Sequence, residues 1–435
     1  MSGIYIHIPF CKQACSYCDF YFVTRDRLIP EFVDALVQEI AAVPVHGGSP
    51  FPSDPLRTLY LGGGTPSRLP VAQLDRIFEA LHRHFDLSGL AETTVEVNPE
   101  DVTPELLAGL RAMGVTRLSM GIQSFQPDLL DFMHRAHTTE QARKALDAVT
   151  GAGFSSWSAD LIYGCPDQAD TQLADDLAQL LAYRPPHISA YSLTIEPRTR
   201  LGKQAGLGRL QPADDETVAR QARMIREELG SGGLVRYEIS NYAVPGQEAQ
   251  HNSAYWQHEN YLGMGPAAHS FYWPAGGSNA MRWYHPSDIH SWTRLVGSET
   301  YRKWVDAAVG GSRERSDTGT IEAERGDVSL AASDAQAKTV SPQPAEFDPV
   351  TPDELEAEKL SLPTLAGERL MTGLRTRSGV DPDELPSRYG RPLSPSQRRL
   401  IEEFRNRGLM ASGAPLRLTE QGMELADAVI LRLME

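Results

Sequence analysis

Short runs typical of β-strands alternate with stretches of helical periodicity over the first 195 residues of this 435-residue chain. Phe32, Leu36 and Ile40 recur at the spacing of an amphipathic helix, and three later stretches repeat that pattern. The predicted strands are 4–8, 58–61, 93–97, 117–120, 158–162 and 187–191. Strands that alternate with helices predict an α/β fold with a parallel sheet, here a partial (β/α)6 TIM-like barrel.

The pattern becomes less regular after residue 195. It predicts a helix over 214–229, a strand over 234–239 and an aromatic segment over 251–292. Residues 310–345 contain small and acidic residues and no aromatic, which predicts disorder. We therefore expect four parts: a core barrel over 1–200, its completion over 201–305, a disordered acidic insertion over 306–352, and a C-terminal domain over 353–435.

The C-terminal domain is predicted to be small, helical and winged-helix-like. One helix should end at Ser378-Gly379 and a second near Gly408, and a short strand should follow over 416–418. Thr419 is a candidate N-cap for the last helix. No basic face supports DNA binding, so we expect a structural role for this module.

Composition narrows the class of protein. The formal net charge of -16 argues against broad nucleic-acid binding, which needs a basic surface. No apolar run is long enough to span a bilayer, so any membrane association would be peripheral. Three of the four cysteines are clustered, which is not a disulfide framework and favours a reducing, cytoplasmic location. The fourth, Cys165, is expected to be a packed side chain.

The clustered cysteines, Cys11, Cys15 and Cys18, follow the first predicted strand and Pro9. Thiolates suit iron–sulfur clusters and zinc, and three of them are one fewer than a closed zinc site or an ordinary [4Fe–4S] cluster needs. A cluster held by three cysteines leaves one iron open to a small chelating molecule. The alternatives are a zinc site completed by His7 and buried free thiols.

Two further features lie at predicted strand ends. The loop 62–67, Gly-Gly-Gly-Thr-Pro-Ser, lacks the ending of a phosphate loop, and its backbone N–H groups would suit a zwitterionic carboxylate or ammonium. Glu96 lies between Val95 and Val97 on a strand, so its side chain should face the opposite side from theirs. It is a candidate partner for an ammonium or a ribose.

Together these motifs resemble a known family. The order of Tyr5, CxxxCxxC, GGGTP, a strand glutamate, GxQSF, an arginine and DLIYGxP is similar to that of the radical S-adenosylmethionine family. Within it, the chain resembles the group of oxygen-independent coproporphyrinogen III oxidases and haem chaperones. The resemblance covers about residues 3–305 and resumes near residue 353.

The resemblance implies a [4Fe–4S] cluster on Cys11, Cys15 and Cys18, whose fourth iron takes the amino and carboxylate groups of S-adenosylmethionine. It implies contacts to this molecule from Tyr5, Gly63 and Glu96. Residues that align with contacts to a second molecule in the oxidase are Tyr17, Gly64, Thr65, Gln123, Arg135, Asp160 and Thr194.

Three features favour the chaperone over the oxidase. The oxidase has a fourth cysteine soon after the triplet, where this chain has Asp19-Phe20-Tyr21, and it has an extension before its first strand. The segment 251–256 matches the HNxxYW motif that is linked to haem binding in the chaperones. That motif comprises His251, Asn252, Tyr255 and Trp256.

Imidazole is a common axial ligand of haem, and aromatic side chains supply a flat apolar surface. His251 is therefore the expected haem ligand. A packed aromatic turn with a hydrogen-bonded His251 is the structural alternative. His269 is a second candidate ligand.

The expected function is that of a haem chaperone that passes haem to an acceptor protein and takes electrons from a donor. Its cofactors would be the cluster, S-adenosylmethionine and haem, and a homodimer is compatible with the sequence. The alternative is an oxidase that decarboxylates coproporphyrinogen III to protoporphyrinogen IX. A third possibility is a purely structural cluster protein.

Overall fold

The computed structural model describes residues 2–52, 54–274, 276–309 and 355–434. The strands are β1 Ser2–Ile8, β2 Leu56–Gly63, β3 Glu92–Val97, β4 Arg117–Gln123, β5 Ser156–Tyr163, β6 His187–Ser192, β7 Val235–Arg236, β8 Asn241–Ala243, β9 Asn260–Met264, β10 His269–Tyr272, β11 Asn279–Tyr284 and β12 Glu356–Ser361.

Helices cover the strands and form most of the C-terminal domain. They are α1 Ile29–Ala42, α2 Val71–His84, α3 Pro104–Ala112, α4 Pro127–Phe132, α5 Thr139–Gly151, α6 Asp170–Ala182, α7 Arg200–Gly206, α8 Asp215–Ser231, α9 Gln250–Trp256, α10 Ile289–Gly297, α11 Glu299–Val309, α12 Leu362–Gly373, α13 Glu384–Tyr389, α14 Pro395–Asn406, α15 Glu420–Glu424 and α16 Ala426–Met434.

The described strands form one twelve-stranded sheet in the order β12-β11-β10-β9-β1-β2-β3-β4-β5-β6-β8-β7. β1 to β6 lie side by side in chain order and pair in parallel, which confirms the six predicted strands and the α/β barrel. β9 adds a further parallel strand beside β1, and β10 to β12 continue antiparallel. The carboxyl ends of β1 to β6 therefore meet at one edge, where ligands gather in such folds.

The core lies between the strands and the helices that cover them. Ile4, Ile6 and Ile8 of β1 are fully buried, and Phe32 and Leu36 of α1 belong to the same buried cluster. Burying a side chain of this size stabilises the fold by about 1.5–3 kcal/mol. The periodicity that predicts α1 is thus the periodicity of its buried face.

The C-terminal domain has its own core, in which Leu365, Phe404 and Ile430 are buried. β12 joins it to the barrel because this strand pairs with β11 of the main sheet. An ion pair of 2.6 Å between Arg226 of α8 and Glu424 also spans the two parts. The two parts are therefore held together by both backbone pairing and charge.

Two predicted boundaries are wrong for one physical reason. The helix expected to end at Ser378-Gly379 ends at Gly373, and the strand expected over 234–239 is limited to β7. The backbone of Arg377 donates a hydrogen bond of 2.8 Å to the carbonyl of Tyr237, and Glu238 bridges to Thr376. The two segments therefore pair with each other through backbone hydrogen bonds instead of extending the helix and the strand.

The end of the chain differs from the prediction in detail. Thr419 caps the last segment as expected, but that segment is divided into α15 and α16 at Leu425. The strand predicted over 416–418 consists of isolated bridges made by Leu416 and Leu418. Helix α13 was not predicted.

The start of the predicted insertion, residue 306, lies inside helix α11, which continues to Val309. Residues 310–352, for which the sequence predicts a disordered acidic insertion, lie outside the described residues. Among the helices that the structure describes, none combines the length and apolar character needed to cross a membrane.

Candidate cluster and cofactor site

The cysteine loop begins where β1 ends and is fixed by backbone hydrogen bonds. Cys11 N–H donates to the carbonyl of Val23 at 3.0 Å, and Val23 N–H donates to Pro9 at 2.7 Å. Farther along, Ser16 N–H donates to the carbonyl of Met133, just after α4, at 3.0 Å. The loop therefore has a defined position at the carboxyl end of the barrel strands, where the sequence predicts it.

The cysteines remain partly accessible at this edge. Within the described ranges, no three His, Cys, Asp or Glu side chains converge closely enough for a single metal ion. His7, the proposed fourth zinc ligand, has Nδ1 at 3.1 Å from the Tyr5 hydroxyl and Nε2 at 3.1 Å from the Tyr21 carbonyl. This geometry argues against the zinc alternative, because both imidazole nitrogens are engaged.

The triple-glycine loop packs directly against the cysteine loop. Gly63 has φ of 105°, and a Cβ atom there would lie 2.5 Å from the His7 ring. A Cβ atom on Gly64 would lie 2.7 Å from the carbonyl carbon of Pro9. Only glycine fits at both positions, and the absence of side chains lets this backbone reach the cluster region.

Glu96 is half-buried on β3, whereas its neighbours Val95 and Val97 are fully buried, which agrees with the predicted alternation of the strand. Its Oε1 accepts a hydrogen bond of 2.7 Å from the Tyr60 hydroxyl, and its Oε2 accepts one of 3.0 Å from Gly63 N–H. Burial raises the pKa of Glu96 to about 7. A cationic ligand group such as an ammonium would stabilise the charged form.

Arg135 joins the cysteine loop to the ends of β3 and β4. One guanidinium nitrogen lies 3.5 Å from Cys15 Sγ and 3.4 Å from the Tyr17 hydroxyl. The other donates to Asn98 Oδ1 and to the Gly121 carbonyl, at 2.8 Å each. The cation therefore lies where it would face a negatively charged thiolate cluster.

Thr65 and Asn98 continue this network. The Thr65 hydroxyl lies 3.6 Å from Cys11 Sγ and accepts a hydrogen bond of 3.0 Å from the Asn98 side chain. Sequence reasoning did not assign Asn98 or Tyr60 to the site. The alternation of strand residues was a usable signal for both. Tyr60 lies on the same strand face as Gly62, and Asn98 lies on the same face as Glu96.

Several buried polar atoms at this edge have no hydrogen-bond partner among the described residues. They are Gln123 Oε1, Arg135 Nε and Asp160 Oδ1. Burial also raises the pKa of Asp160 to about 6. An unsatisfied buried group costs about 1–3 kcal/mol, so these atoms fit a polar ligand. The amino, carboxylate and ribose groups of S-adenosylmethionine supply partners of this kind.

The remaining sequence candidates have distinct positions. Thr194 is exposed and lies two residues after β6. Cys165 is 1% exposed and packs with Leu129, Met133 and Ile162, as expected for a packed side chain. The structure thus brings most of the predicted cofactor contacts to one edge and leaves Thr194 at its exposed side.

Helix α9 carries the HNxxYW motif and encloses its histidine. His251 Nδ1 lies 2.8 Å from the Thr58 hydroxyl, and its Nε2 lies 2.8 Å from the Tyr255 hydroxyl. The side chain is 2% exposed, and burial lowers its pKa to about 3. The Glu92 carboxylate accepts hydrogen bonds of 3.0 Å from the backbone N–H groups of Gln250 and His251. This environment matches the structural alternative for His251.

Three of the four motif residues line two different cavities, and His251 lines neither of them. Tyr255 lines a cavity of about 1160 Å³ beside the cysteine loop, together with Tyr5, Phe20 and His269. Asn252 and Trp256 line a cavity of about 660 Å³ between the barrel and the C-terminal domain. The motif therefore does not present its four side chains to one common ligand surface.

Comparisons with known proteins agree with this architecture. Residues 5–180 match the radical SAM superfamily, and residues 360–425 match the HemN C-terminal domain. A solved structure of coproporphyrinogen III oxidase (HemN) from Escherichia coli is similar with a TM-score of 0.71 and 19% identity, over 99% of this chain and 89% of that one. At this identity the likeness shows the fold alone.

Curated relatives give a closer relation. The heme chaperone HemW of Bacillus subtilis is 30% identical over 433 residues, which cover 99% of this chain and 98% of that protein. The heme chaperone HemW of Escherichia coli is 34% identical over 273 residues, which cover 61% of this chain and 69% of that protein. Since the first match extends over nearly all of both proteins, the chain belongs to the HemW family of the radical S-adenosylmethionine superfamily.

Proposed function

We propose that this chain is a cytoplasmic haem chaperone that binds haem and passes it to an acceptor protein. The observation that supports this most strongly is its end-to-end similarity to a relative named as a heme chaperone. The cavity of about 1160 Å³ beside the cysteine loop has room for a tetrapyrrole, because typical ligand pockets measure about 300–1,000 Å³.

Cys11, Cys15 and Cys18 would hold a [4Fe–4S] cluster, and Glu96, Tyr5 and Gly63 would contact S-adenosylmethionine. Together these groups can supply a one-electron cleavage of the sulfonium, for which the protein positions the cofactors. Arg135 would stabilise the negative charge of the thiolates, and Glu96 would orient the amino group of the ligand by accepting its N–H hydrogen bonds. An electron donor for the cluster is part of this proposal.

A second set of contacts, to a second S-adenosylmethionine molecule, belongs to the same proposal. Gln123, Arg135 and Asp160 support it, because each carries a buried polar atom that has no partner in the described part of the chain. Thr65 and Tyr17 adjoin that group through Asn98 and Arg135 respectively. Gly64 and Thr194 complete the proposed set.

The charges of the large cavity favour haem over the oxidase substrate. The lining includes the carboxylates of Asp19, Glu259, Asp288, Glu356 and Glu368 and the guanidinium groups of Arg198 and Arg282. Coproporphyrinogen III carries four carboxylates, whereas haem carries two. An acidic lining repels the substrate with more carboxylates more strongly.

The test pairs two anaerobic assays on reconstituted protein. We expect haem to bind with a saturable Soret change and to move to an apo-haemoprotein added afterwards. We expect no protoporphyrinogen IX from coproporphyrinogen III in the presence of reductant and S-adenosylmethionine. The Escherichia coli oxidase serves as the positive control. Turnover comparable to that control, or the absence of saturable haem binding, would refute the chaperone proposal.

A further inference from the structure

The loop between α4 and α5, residues 133–138, contacts the cysteine loop at several points. Ser16 N–H donates a hydrogen bond of 3.0 Å to the Met133 carbonyl. In the other direction, His134 Nδ1 lies 3.1 Å from the Ala14 carbonyl. The position of the cysteine loop therefore depends on the position of this α4–α5 loop.

The α4–α5 loop has a strained backbone that needs support. His134 has φ of 58°, in the left-handed region that residues other than glycine rarely adopt. Such a conformation costs free energy and persists where surrounding contacts determine it. Two side chains of the loop, Arg135 and His137, supply contacts of this kind, because both reach across to the ends of β3 and β4.

His137 crosses to these strand ends two residues after Arg135. Its Nε2 lies 3.1 Å from the Ile122 carbonyl of β4. Its Nδ1 lies 3.6 Å from Oε2 of Glu100, in the turn that follows β3. Arg135 bridges the same two strand ends. The α4–α5 loop is thus fixed to β3 and β4 by two side chains that act in parallel.

The contact between His137 and Glu100 is buried. Their side chains are 0% and 2% exposed, and neither of the two facing atoms has another partner among the described residues. Burial alone would raise the pKa of Glu100, but the contact with His137 and the positive charge of Arg135 hold it below its ordinary value. Removing His137 would leave a buried carboxylate without its neighbour, which is costly.

Arg135 is the group through which this support can affect the cysteines. Its guanidinium group lies 3.5 Å from Cys15 Sγ. A cation and a hydrogen bond at a cluster sulfur favour the more negatively charged, reduced state, and they raise the reduction potential. The size of that effect depends on how close the guanidinium group stays to the sulfur, so it depends on the backbone that carries Arg135.

We propose that His137 is a positioning residue for the cluster. By contacting Glu100 and the β4 backbone, it fixes the α4–α5 loop so that Arg135 faces Cys15. The inference rests on the proposed function, because it requires a [4Fe–4S] cluster on the three cysteines. It gives a role to a buried histidine that lies outside the motifs recognised in the sequence.

The experiment measures the midpoint reduction potential of the anaerobically reconstituted cluster without S-adenosylmethionine. The unaltered chain is compared with His137→Ala, His137→Gln, Arg135→Gln and the double variant His137→Ala with Arg135→Gln. His82→Ala is the control, since His82 is an exposed histidine of α2. The free energy of unfolding of the cluster-free chains is measured in parallel, because a role confined to folding would change stability alone.

We expect His137→Ala to shift the potential to more negative values, in the same direction as Arg135→Gln. The shift in the double variant should not exceed that of Arg135→Gln, since His137 acts through Arg135. His137→Gln can still donate to the Ile122 carbonyl, so its shift should have the same sign and be smaller. His82→Ala should keep the potential of the unaltered chain.

A His137→Ala variant with lowered stability and an unchanged potential would overturn the inference and leave the proposed function standing. Additive shifts in the double variant would also overturn it. If His137→Ala assembles no cluster, His137→Gln decides: a negative shift supports the inference, and an unchanged potential overturns it. If the unaltered chain assembles no four-iron cluster, both the inference and the cluster of the proposed function fail.

Discussion

Tyr60 donates a hydrogen bond of 2.7 Å to Glu96 on the neighbouring strand. Gly63 N–H holds the second carboxylate oxygen at 3.0 Å, so both oxygens are oriented by the protein. The same glycine loop is joined to the segment that leads into the cysteine loop, because Gly64 N–H donates to the Ile8 carbonyl at 2.9 Å and Thr65 N–H donates to the Phe10 carbonyl at 2.8 Å. This carboxylate is therefore fixed close to the proposed cluster before any ligand arrives.

Replacing Glu96 with glutamine should weaken S-adenosylmethionine binding at least tenfold without loss of cluster iron. The amide keeps an oxygen acceptor for Tyr60 but loses the negative charge that would strengthen hydrogen bonds from the amino group of the cofactor. Binding is measured as the change in the electron paramagnetic resonance signal of the reduced cluster during titration. Tyr60→Phe keeps the charge and should weaken binding less. Equal effects of the two variants would contradict the assigned role of the charge.

The same carboxylate predicts a pH dependence of cofactor binding. Burial raises the pKa of Glu96 to about 7, so the charged form gains population as pH rises from 6 to 8. Because the N–H groups of the bound amine form stronger hydrogen bonds to that form, affinity should increase over this interval in the unaltered chain. The slope should be smaller in Glu96→Gln. Identical slopes, measured at constant ionic strength, would show that another group controls the titration.

The contact between Thr58 and His251 predicts a stability effect. Thr58→Val removes the hydroxyl that lies 2.8 Å from the buried His251 Nδ1 and keeps the side-chain shape. An unsatisfied buried nitrogen should lower the free energy of unfolding by about 1–3 kcal/mol. Thr58→Ser, which keeps the hydroxyl, is the matched control in denaturant unfolding of the cluster-free chain. If Thr58→Val and Thr58→Ser were equally stable, this hydrogen bond would not contribute to the free energy of unfolding.

Glu39 predicts the pH dependence of folding. Burial raises its pKa to about 7, above the ordinary value of 4.5, so the folded state holds the proton more tightly. The contribution of this proton to the free energy of unfolding is therefore complete below pH 4.5. It falls by about 3 kcal/mol as the pH rises to 7. Glu39→Gln should abolish this component of the pH dependence in denaturant unfolding at pH 5 and pH 8.

Glu31 provides the matched control for this measurement. It lies on the same helix α1, and its side chain is 51% exposed. Glu31→Gln should leave the difference in unfolding free energy between the two pH values unchanged. A Glu39→Gln variant with the pH dependence of the unaltered chain would contradict the assigned burial effect.

The parallel half of the barrel was predictable because its signals are local. The strands β1 to β6 are short runs that alternate with stretches of helical periodicity, and Glu96 differs from Val95 and Val97 by simple alternation. Glu39 also carried a local signal, since it lies beside Ile40 on the apolar face of α1. Its hydrogen-bond partner Tyr301 lies 262 residues away in the sequence, so the sequence of α1 alone does not show which group Glu39 contacts.

Long-range contacts explain what sequence reasoning missed. Thr58 and Glu92 each contact His251 across more than 150 residues, and these contacts decide whether that histidine is free or packed. The motif HNxxYW implies a shared ligand, but a helix directs Asn252 and Trp256 toward a different cavity from Tyr255.

The most direct test of the central claim is anaerobic reconstitution of the unaltered chain and of cysteine variants, followed by spectroscopy of the reduced state. The account predicts a four-iron signal that changes when S-adenosylmethionine is added. It predicts loss of that signal in Cys11→Ala, Cys15→Ala and Cys18→Ala but not in Cys165→Ala. A colourless zinc protein, or a four-iron signal that does not respond to S-adenosylmethionine, would contradict the account.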